Sequence, residues 1–454
     1  MFRVEASITT GRRKLWELRL RLIRSTWQRL GRAMVRSKGR PTMIESDGLG
    51  QSADGCGTPA VPGPADAFNG LLGSVPIESR EQSQAHELFV QVLVHMVQVG
   101  ASDLHIKAGS LPLVRVKGHL RPAPFPVLGP DACEAIVVNT LPATQRARFE
   151  VDNEADYALT VRGVGRFRVN AFRERGRCAL AVRTVADTVP SASSLGLLTT
   201  VQRLAGLTSG LLLVAGPVGS GKSTTMAWMI DQINETRSAN ILTIEDPIEF
   251  VHADKRAIVH QREVGSDTAS YAEALRRVLR QDPDVIVIGE IRDADTARVA
   301  LTAAQTGHLV LTTMHTATAS ETVDRLVGLF PGEDQHQARL SLAAALQGVI
   351  CQRLVSRSAD RRRFLLQEVL VSTGRIAERI LDPSRPGPSI SEIIAEDEYL
   401  GMISFDQHLF ALHQAGALSR QDALAAAVNR HDLSLLIDEA DTEGPHHTVV
   451  SARG

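Results

Sequence analysis

The sequence lacks both the cysteine pattern of a cross-linked fold and the long apolar run of a membrane-spanning protein. Its four cysteines are Cys56, Cys133, Cys178 and Cys351. Their wide separation excludes a disulfide scaffold and a four-cysteine zinc site, and it predicts a reducing, cytoplasmic setting. No apolar run reaches the roughly 18 residues that a spanning helix needs. Because apolar residues make up 43% of the chain and charged residues 22%, a mostly disordered or collagen-like protein is excluded as well.

The net charge of −1 conceals a strongly basic N-terminal segment. Residues 1–42 contain twelve Lys or Arg and two Glu, a net charge of +10, so the remainder carries −11. Apolar side chains recur from Trp16 to Met34 at spacings of three and four, which predicts a basic amphipathic helix. Such a helix suits an anionic membrane surface. The alternatives are a helix that docks on a partner, or upstream sequence that the working protein lacks, with Met43 as its start.

Composition predicts a small first domain, with an unstructured linker before it, and an unstructured tail at the end of the larger second domain. Residues 43–80 are rich in Gly, Pro, Ser and Asp, with too few large apolar residues to offset the entropy cost of ordering, so they are predicted to be a flexible linker. Residues 81–190 contain a helical stripe, short strand-like runs and one helix over 131–149. This pattern predicts an α+β domain with a mainly antiparallel sheet. Residues 438–454 are predicted to be a disordered tail.

Residues 195–437 are predicted to form an α/β domain. Apolar runs such as LLLVAG, VIVIGE and HLVLTTMH alternate with helical segments, which is typical of a parallel sheet covered by helices on both faces. After Phe330 the pattern indicates mostly helix as far as Ile437. The segment Pro190–Ser194 is the predicted hinge between the two domains.

A glycine-rich motif predicts a nucleotide-binding loop. The run GPVGSGKS fits the pattern G-x-x-x-x-G-K-[ST], directly follows an apolar strand and opens a helix, which is the context that this motif requires. Its glycines let backbone N–H groups surround the phosphates, and the helix N-terminus adds partial positive charge. Lys222 is predicted to neutralise the β- and γ-phosphates, and the Ser223 hydroxyl to hold Mg²⁺. The predicted nucleotide-binding residues are Gly216, Pro217, Val218, Gly219, Ser220, Gly221, Lys222, Ser223 and Thr224.

Acidic residues end two further predicted strands. Ligands of a parallel sheet bind at the C-terminal ends of its strands, so Glu290, which ends the run DVIVIGE, is predicted to orient or deprotonate a water near the γ-phosphate. A cap on the next helix is the alternative. The usual strand-end aspartate is absent, which predicts that Mg²⁺ is contacted there through water. The run TIEDPIE places Glu245, Asp246 and Glu249 within five residues, a costly arrangement unless it is solvated or faces a cation. For each of these three residues, two interpretations remain: it binds a metal or the catalytic water, or it lies in a solvated turn.

Two histidines and several arginines are further candidates. His308 and His315 flank the strand LVLTTM, and at seven residues apart they lie at its opposite ends. His315, at the ligand end, is the candidate sensor of the γ-phosphate, whereas His308 is assigned a structural role. Arg166 and Arg168 share one face of a predicted first-domain strand, and Arg277 lies on a predicted helix. They are candidates to reach the nucleotide of a neighbouring subunit, with surface ion pairs as the alternative.

These motifs resemble the type II/IV secretion ATPase family, and within it the type IV pilus retraction ATPases of twitching motility. The run from Ser102-Asp-Leu-His105 through Arg166-Phe-Arg-Val-Asn-Ala-Phe172 is similar to the N-terminal domain of these motors. The phosphate loop, ILTIEDPIEF, HQREVG, VIVIGEIRD and TGHLVLTTMHT resemble the family's Walker A motif, aspartate box, Walker B motif and histidine box, in order. The likeness extends over residues 82–437.

The resemblance implies a hexameric ring of two-domain subunits, in which a PAS-like N-terminal domain precedes a RecA-like P-loop ATPase domain. Such a ring hydrolyses ATP with Mg²⁺ to drive pilus retraction or disassembly. It implies an inner-membrane pilus platform protein as partner and a cytoplasmic position at that membrane, with neither zinc nor nucleic acid as a ligand. By motif position it assigns Glu290 as general base, Glu249 as the acid that positions the water, and His308 and His315 as the histidine-box pair.

Departures from the family keep other functions open. Only Cys351 follows the phosphate loop, so the tetracysteine zinc site of assembly and secretion members cannot form, which favours retraction over pilus assembly or type II secretion. The segment 371–382 departs from the family's retraction motif. An accessory paralogue, acting mainly as a nucleotide-gated regulatory subunit beside a paralogous motor, is therefore an alternative. A DNA translocase is a third class, and stimulation of ATPase activity by DNA that fades with salt would support it.

Overall fold

The computed structural model describes residues 80–443, which belong to one compact unit. The predicted basic segment (residues 1–42), all but the last residue of the predicted linker (43–80) and residues 444–454 lie outside the described residues. Between residues 80 and 443, no helix is both long and apolar enough to cross a membrane. The described residues contain two β-sheets, one of six strands and one of seven.

The first sheet is antiparallel throughout, with the strand order β3-β2-β1-β6-β5-β4. Its strands are β1 (Asp103–Lys107), β2 (Leu113–Val116), β3 (His119–Pro122), β4 (Glu154–Val161), β5 (Gly165–Glu174) and β6 (Arg177–Thr184). Along β5, Phe167 and Val169 are buried while Arg168 is exposed, the alternation of a sheet with one face on a core. The predicted antiparallel sheet is confirmed, whereas the short strands β1 and β3 were not predicted.

Three helices accompany this sheet: α1 (Arg80–Gln98), α2 (Pro130–Thr140) and α3 (Ala143–Asp152). Phe89 of α1 and Ile136 of α2 share one hydrophobic core with Phe167 of the sheet. The single helix predicted over 131–149 is wrong, because the chain leaves the helix at Leu141 and starts again after Pro142. Proline lacks the N–H of a continuous helix and disfavours helical backbone in the residue before it.

The second sheet has the strand order β13-β12-β7-β11-β10-β8-β9. Its strands are β7 (Gly210–Ala215), β8 (Asn240–Glu245), β9 (Ile258–Glu263), β10 (Val285–Ile288), β11 (Leu309–Met314), β12 (Leu346–Ser356) and β13 (Arg363–Val371). All neighbours are parallel except β12 and β13, which form an antiparallel pair. The predicted parallel sheet is confirmed, and it brings the C-terminal ends of β7, β8, β10 and β11 to one edge.

Helices pack on both faces of this sheet. Leu211 and Leu213 of β7 contribute to one core, whereas Leu212 and Val214 contribute to another, as side chains that alternate between two buried faces must. The helices are α4 (Ala192–Leu195), α5 (Thr199–Ala205), α6 (Lys222–Thr236), α7 (Tyr271–Val278), α8 (Ala294–Gln305), α9 (Ala319–Gly328), α10 (Gln335–Ala345), α11 (Gly374–Leu381), α12 (Ile390–Glu396), α13 (Phe405–Gln414), α14 (Arg420–Ala426) and α15 (Arg430–Glu443).

Two elements of the C-terminal part differ from the sequence prediction. The pattern after Phe330 predicts mostly helix, but β12 and β13 together form a long antiparallel pair that extends the central sheet beside β7. A buried apolar strand and a buried helix cannot be distinguished by periodicity alone, which explains the error. Helix α15 runs to Glu443, so residues 438–443 of the predicted disordered tail are helical.

Candidate active site

A cavity of about 560 Å³ opens at the edge of the second sheet where β7, β8, β10 and β11 end. All its lining residues come from positions 218–363. The cavity therefore lies where a parallel sheet binds its ligands. The sequence-predicted site residues that line it are Val218, Gly219, Gly221, Lys222, Ser223, Thr224, Glu249, Glu290 and His315.

The loop between β7 and α6 has a backbone that only glycine suits at several points. Gly219 and Gly221 have φ values of +78° and +97°, in the left-handed region that favours glycine. At Gly216, a Cβ atom would lie 2.4 Å from the carbonyl oxygen of Gln352. Helix α6 begins immediately after this loop at Lys222. The first N–H groups of a helix have no partner within it, and a phosphate is a suitable acceptor for them.

Two further observations in the loop fit an anionic ligand. The buried Oγ of Ser220 has no hydrogen-bond partner among residues 80–443. The Lys222 ammonium donates to the carbonyl oxygens of Gly216, at 2.8 Å, and Pro217, at 3.0 Å. Burial lowers the pKa of Lys222, and nearby Glu249 acts in the opposite direction. A phosphate entering the loop would therefore meet a cation whose hydrogen-bond partners in the described residues are the two backbone oxygens and a ring nitrogen of His315.

His315 connects this lysine to the carboxylate of Glu290. Its Nδ1 lies 3.4 Å from Lys222 Nζ, and its Nε2 lies 3.1 Å from Glu290 Oε2. Because Nδ1 faces a donor and Nε2 faces an acceptor, the neutral ring with its proton on Nε2 satisfies both neighbours. Burial and the positive charges of Lys222 and Arg292 lower the pKa of His315, which favours this neutral form. Arg292 also forms an ion pair with Glu290 Oε1.

The structure distinguishes the three carboxylates at the end of β8 and just after it. Glu245 is half-buried and accepts hydrogen bonds from Thr243 Oγ1 at 2.6 Å and Gln261 Nε2 at 3.0 Å, and this desolvation raises its pKa. These bonds hold Glu245 as part of the scaffold. Asp246 and Glu249 also line the cavity, and neither has an ion-pair partner within residues 80–443. Of the three, these two are available to a cation or a water.

Seven sequence-predicted residues do not line the cavity: Gly216, Pro217 and Ser220 of the phosphate loop, and four residues outside that loop. His308 is at the far end of β11, where its ring contacts the carbonyl oxygen of Ala303 at 3.0 Å. Arg277 pairs with Glu273, four residues earlier on the same helix. Arg166 and Arg168 are on β5 of the first sheet, and none of the four lines the cavity.

Sequence reasoning missed several cavity residues, among them Arg292, Tyr271 and Arg363. Arg292 follows Glu290 by two residues, so its place in the motif was a usable signal. Tyr271 lies against Gly289, where a Cβ atom would be 2.5 Å from the tyrosine oxygen. Arg363 reaches the cavity from the start of β13. Nothing in the local sequence relates Arg363 to the phosphate loop, because only the pairing of β12 with β7 brings them together.

Comparison with known proteins supports the interpretation of these motifs. Residues 78–379 match the family described as type II/IV secretion system protein. The chain is 41% identical to the type IV pilus retraction ATPase PilT of Pseudomonas aeruginosa over 345 residues, which is 73% of this chain and 96% of that protein. It is 36% identical to the type IV pilus ATPase PilU of the same organism over 368 residues, 81% of this chain and 95% of that protein.

Solved structures give the same relationship. The structure of the pilus retraction motor PilT with bound ADP matches with a TM-score of 0.69 and 40% identity, over 76% of this chain and 98% of that one. The ATPase DotB of Legionella pneumophila matches with a TM-score of 0.64 and 26% identity, over 81% and 99% of the two chains. The similarity therefore extends through both sheets.

Proposed function

Because this chain belongs to the type II/IV secretion system protein family and is an ATPase homologous to type IV pilus retraction motors, we propose that it hydrolyses ATP to drive pilus retraction. One observation carries the proposal. The phosphate loop, Glu249, Glu290 and His315 all line one cavity at the C-terminal edge of the parallel sheet. A phosphate-binding loop and candidate hydrolytic groups are thus within one site, as a nucleotide hydrolase requires.

The proposed machine is a homo-oligomer, with six subunits by family resemblance. Each subunit has a first domain over residues 81–190 and an ATPase domain over 195–437. Its proposed partners are an inner-membrane pilus platform protein and a paralogous motor. The proposed location is the cytoplasmic side of that membrane.

ATP is the proposed substrate, with its phosphates in the loop from Gly216 to Thr224. Lys222 exchanges its contacts with backbone oxygens for contacts with the β- and γ-phosphates, where charge-assisted hydrogen bonds are stronger. The N–H groups at the start of α6 donate to the same phosphates. His315, already 3.4 Å from Lys222, is then next to the γ-phosphate position.

The residues present also fit Mg²⁺. Residues 80–443 contain no preformed group of three or more His, Cys, Asp or Glu that could hold a metal ion. Mg²⁺ suits such a site, because it usually keeps several waters and is held by one or two carboxylates together with substrate phosphates. Ser223 is its proposed ligand, with Glu249 and Asp246 facing the same cavity. When bound, the ion neutralises charge that develops on the phosphates.

Glu290 is the proposed general base. In the structure its two carboxylate oxygens are occupied by His315 and Arg292. To accept a proton from the attacking water, Glu290 must release at least one of these contacts. Glu249 is proposed to position that water from the other side of the cavity.

The proposal is tested by phosphate release from the purified full chain and its Glu290→Gln variant. We expect kcat to fall about 10²–10⁴-fold, the usual contribution of a general base, while the affinity for ATP is retained. Glu333→Gln is a matched control, since Glu333 is exposed and does not line the cavity. A Glu290→Gln enzyme that turns over at the wild-type rate would exclude Glu290 as the base.

The direction of work is tested in cells that depend on this chain. Cells that carry only Glu290→Gln should keep their surface pili but lose twitching motility. Loss of the pili themselves would indicate an assembly motor instead.

An accessory regulatory subunit is the second candidate, since segment 371–382 departs from the retraction motif of the family. Binding of ATP without turnover by the wild-type chain, together with turnover once a paralogous motor is added, would identify that role.

A further inference from the structure

Arg166 joins the two sheets through one partly buried ion pair. It is on β5 of the first sheet, and its Nη2 donates to Glu263 Oε2, on β9 of the second sheet, at 3.0 Å. The Arg166 side chain is 23% exposed and that of Glu263 is 9% exposed. An ion pair this well shielded from water is screened much less than one on the surface. On its own sheet, Arg166 is also within 3.4 Å of Thr160 Oγ1.

Glu263 holds the segment that carries the cavity carboxylates. We name residues 246–252, which follow β8, the carboxylate loop. The same Oε2 of Glu263 that accepts from Arg166 also accepts from the backbone N–H of Ile248, at 3.1 Å. Ile248 lies between Asp246 and Glu249, the two carboxylates that face the cavity without an ion-pair partner in the described part of the chain.

A second contact ties the same loop to the first sheet. The N–H of Val251 donates to the carbonyl oxygen of Ala186 at 2.9 Å, next to a parallel bridge between Ala186 and Phe250. Ala186 follows the last strand of the first sheet by two residues. From β9, Gln261 also holds the loop, because its Nε2 donates to the carbonyl oxygen of Phe250 at 2.8 Å.

From these contacts we infer that Arg166 is a positioning residue that acts within its own subunit. Through Glu263 and the Ile248 amide, it fixes the carboxylate loop to the first domain and thereby places Glu249 at the cavity. This inference rests on the proposed ATPase function. It replaces the expectation that Arg166 reaches the nucleotide of a neighbouring subunit, because its guanidinium is already engaged with Glu263.

Another arginine of the first sheet provides a contrast. Arg121 lies on β3, is exposed, and has no ion-pair partner within residues 80–443. A loss of activity on removing Arg166 alone would therefore reflect the contact with Glu263 and not the general positive charge of the sheet. Arg121→Gln is the matched control and is expected to retain the wild-type kcat and KM.

A double-mutant cycle tests the inference with Arg166→Gln, Glu263→Gln and the double variant. Glutamine at 263 keeps a carbonyl oxygen for the Ile248 amide but removes the charge that pairs with Arg166. Since misplacing a catalytic group by about 1 Å can cost up to about 10²-fold, we expect each single variant to lower kcat by about tenfold or more with little change in KM. The double variant should be no slower than the slower single variant, because both changes remove the same bond.

Several outcomes would overturn the inference. If the losses of the two single variants multiply in the double variant, Arg166 and Glu263 act independently. If Arg166→Gln leaves kcat unaltered, the ion pair does not position the loop. If mixing Arg166→Gln with Glu290→Gln subunits restores turnover, Arg166 acts on the neighbouring subunit.

Hydrogen exchange separates this inference from the proposed function. In Arg166→Gln, the amides of Ile248 and Val251 should exchange faster than in the wild type, whether or not the chain hydrolyses ATP. If the amides exchange faster in Arg166→Gln but the wild-type chain does not hydrolyse ATP, the ion pair still holds the carboxylate loop and only the proposed function is refuted. If exchange in Arg166→Gln is unchanged and the wild-type chain hydrolyses ATP, only the role of the ion pair in holding the carboxylate loop is refuted.

Discussion

Replacing Gly216 by alanine tests whether the phosphate loop has the geometry described above. Gly216 has a φ of +147°, a conformation that L-residues rarely adopt, so alanine there costs about 1–3 kcal/mol in backbone strain. The added Cβ would also lie 2.4 Å from the backbone oxygen of Gln352 and 2.6 Å from Ser220 Oγ. The first neighbour is main chain in the sheet and cannot move alone, so this overlap adds about 1–3 kcal/mol.

The free energy of unfolding should therefore fall by about 2–6 kcal/mol, out of the about 5–15 kcal/mol that is typical of a folded domain. Gly307→Ala is the matched control. Gly307 has a φ of +103°, but no atom would lie within 4 Å of its added Cβ, so only the strain applies. Gly307→Ala should lower the free energy of unfolding by about 1–3 kcal/mol and leave nucleotide binding unchanged.

Urea unfolding of the wild type and both variants measures these differences in stability, and a titration with a fluorescent ADP analogue measures the affinity for nucleotide. We expect Gly216→Ala to unfold at a lower urea concentration than Gly307→Ala and to bind the nucleotide more weakly. If both variants have the same unfolding midpoint, the close approach of Gln352 to the loop contributes nothing and the reasoning is refuted.

Two other predictions concern the phosphate-loop lysine and a buried histidine. Lys222→Ala should weaken nucleotide binding about ten- to hundredfold, because a charge-assisted hydrogen bond contributes about 1.5–3 kcal/mol, and an unchanged Kd in the same titration would remove Lys222 from the site. Burial lowers the pKa of His408, whose Nδ1 accepts the Gln367 N–H at 3.0 Å. Below the ordinary histidine pKa of about 6.5 the unfolded chain then binds more protons than the folded one, so the urea midpoint should be lower at pH 5.5 than at pH 7.5. His408→Gln should reduce this pH difference, and an equal difference in the variant would contradict the assignment.

The sequence predicted the elements whose signals are local. The phosphate loop is recognisable because its glycines, lysine and serine have a fixed spacing between an apolar strand and a helix. The parallel sheet is recognisable because strands buried on both faces form continuous apolar runs. Glu290 could be placed at the site because it ends one of those strands.

The errors occurred where local patterns are ambiguous. Strands β12 and β13 were assigned to helix, since a buried apolar segment has no diagnostic period. One helix was predicted where Pro142 separates two. The three acids of TIEDPIE could not be distinguished by sequence, whereas in the structure Glu245 accepts hydrogen bonds from Thr243 and Gln261, and Glu249 lines the cavity without an ion-pair partner among the described residues.

The sequence by itself determined the fold class and the position of the phosphate-binding motif, because both depend on residue order within short segments. Tertiary structure alone decided which charged groups meet. The Arg166–Glu263 pair joins residues 97 positions apart, and Arg363 enters the cavity only because β12 pairs with β7. The partners of a charged side chain depend on long-range packing and on burial from water, and neither can be inferred from the residues next to it in the chain.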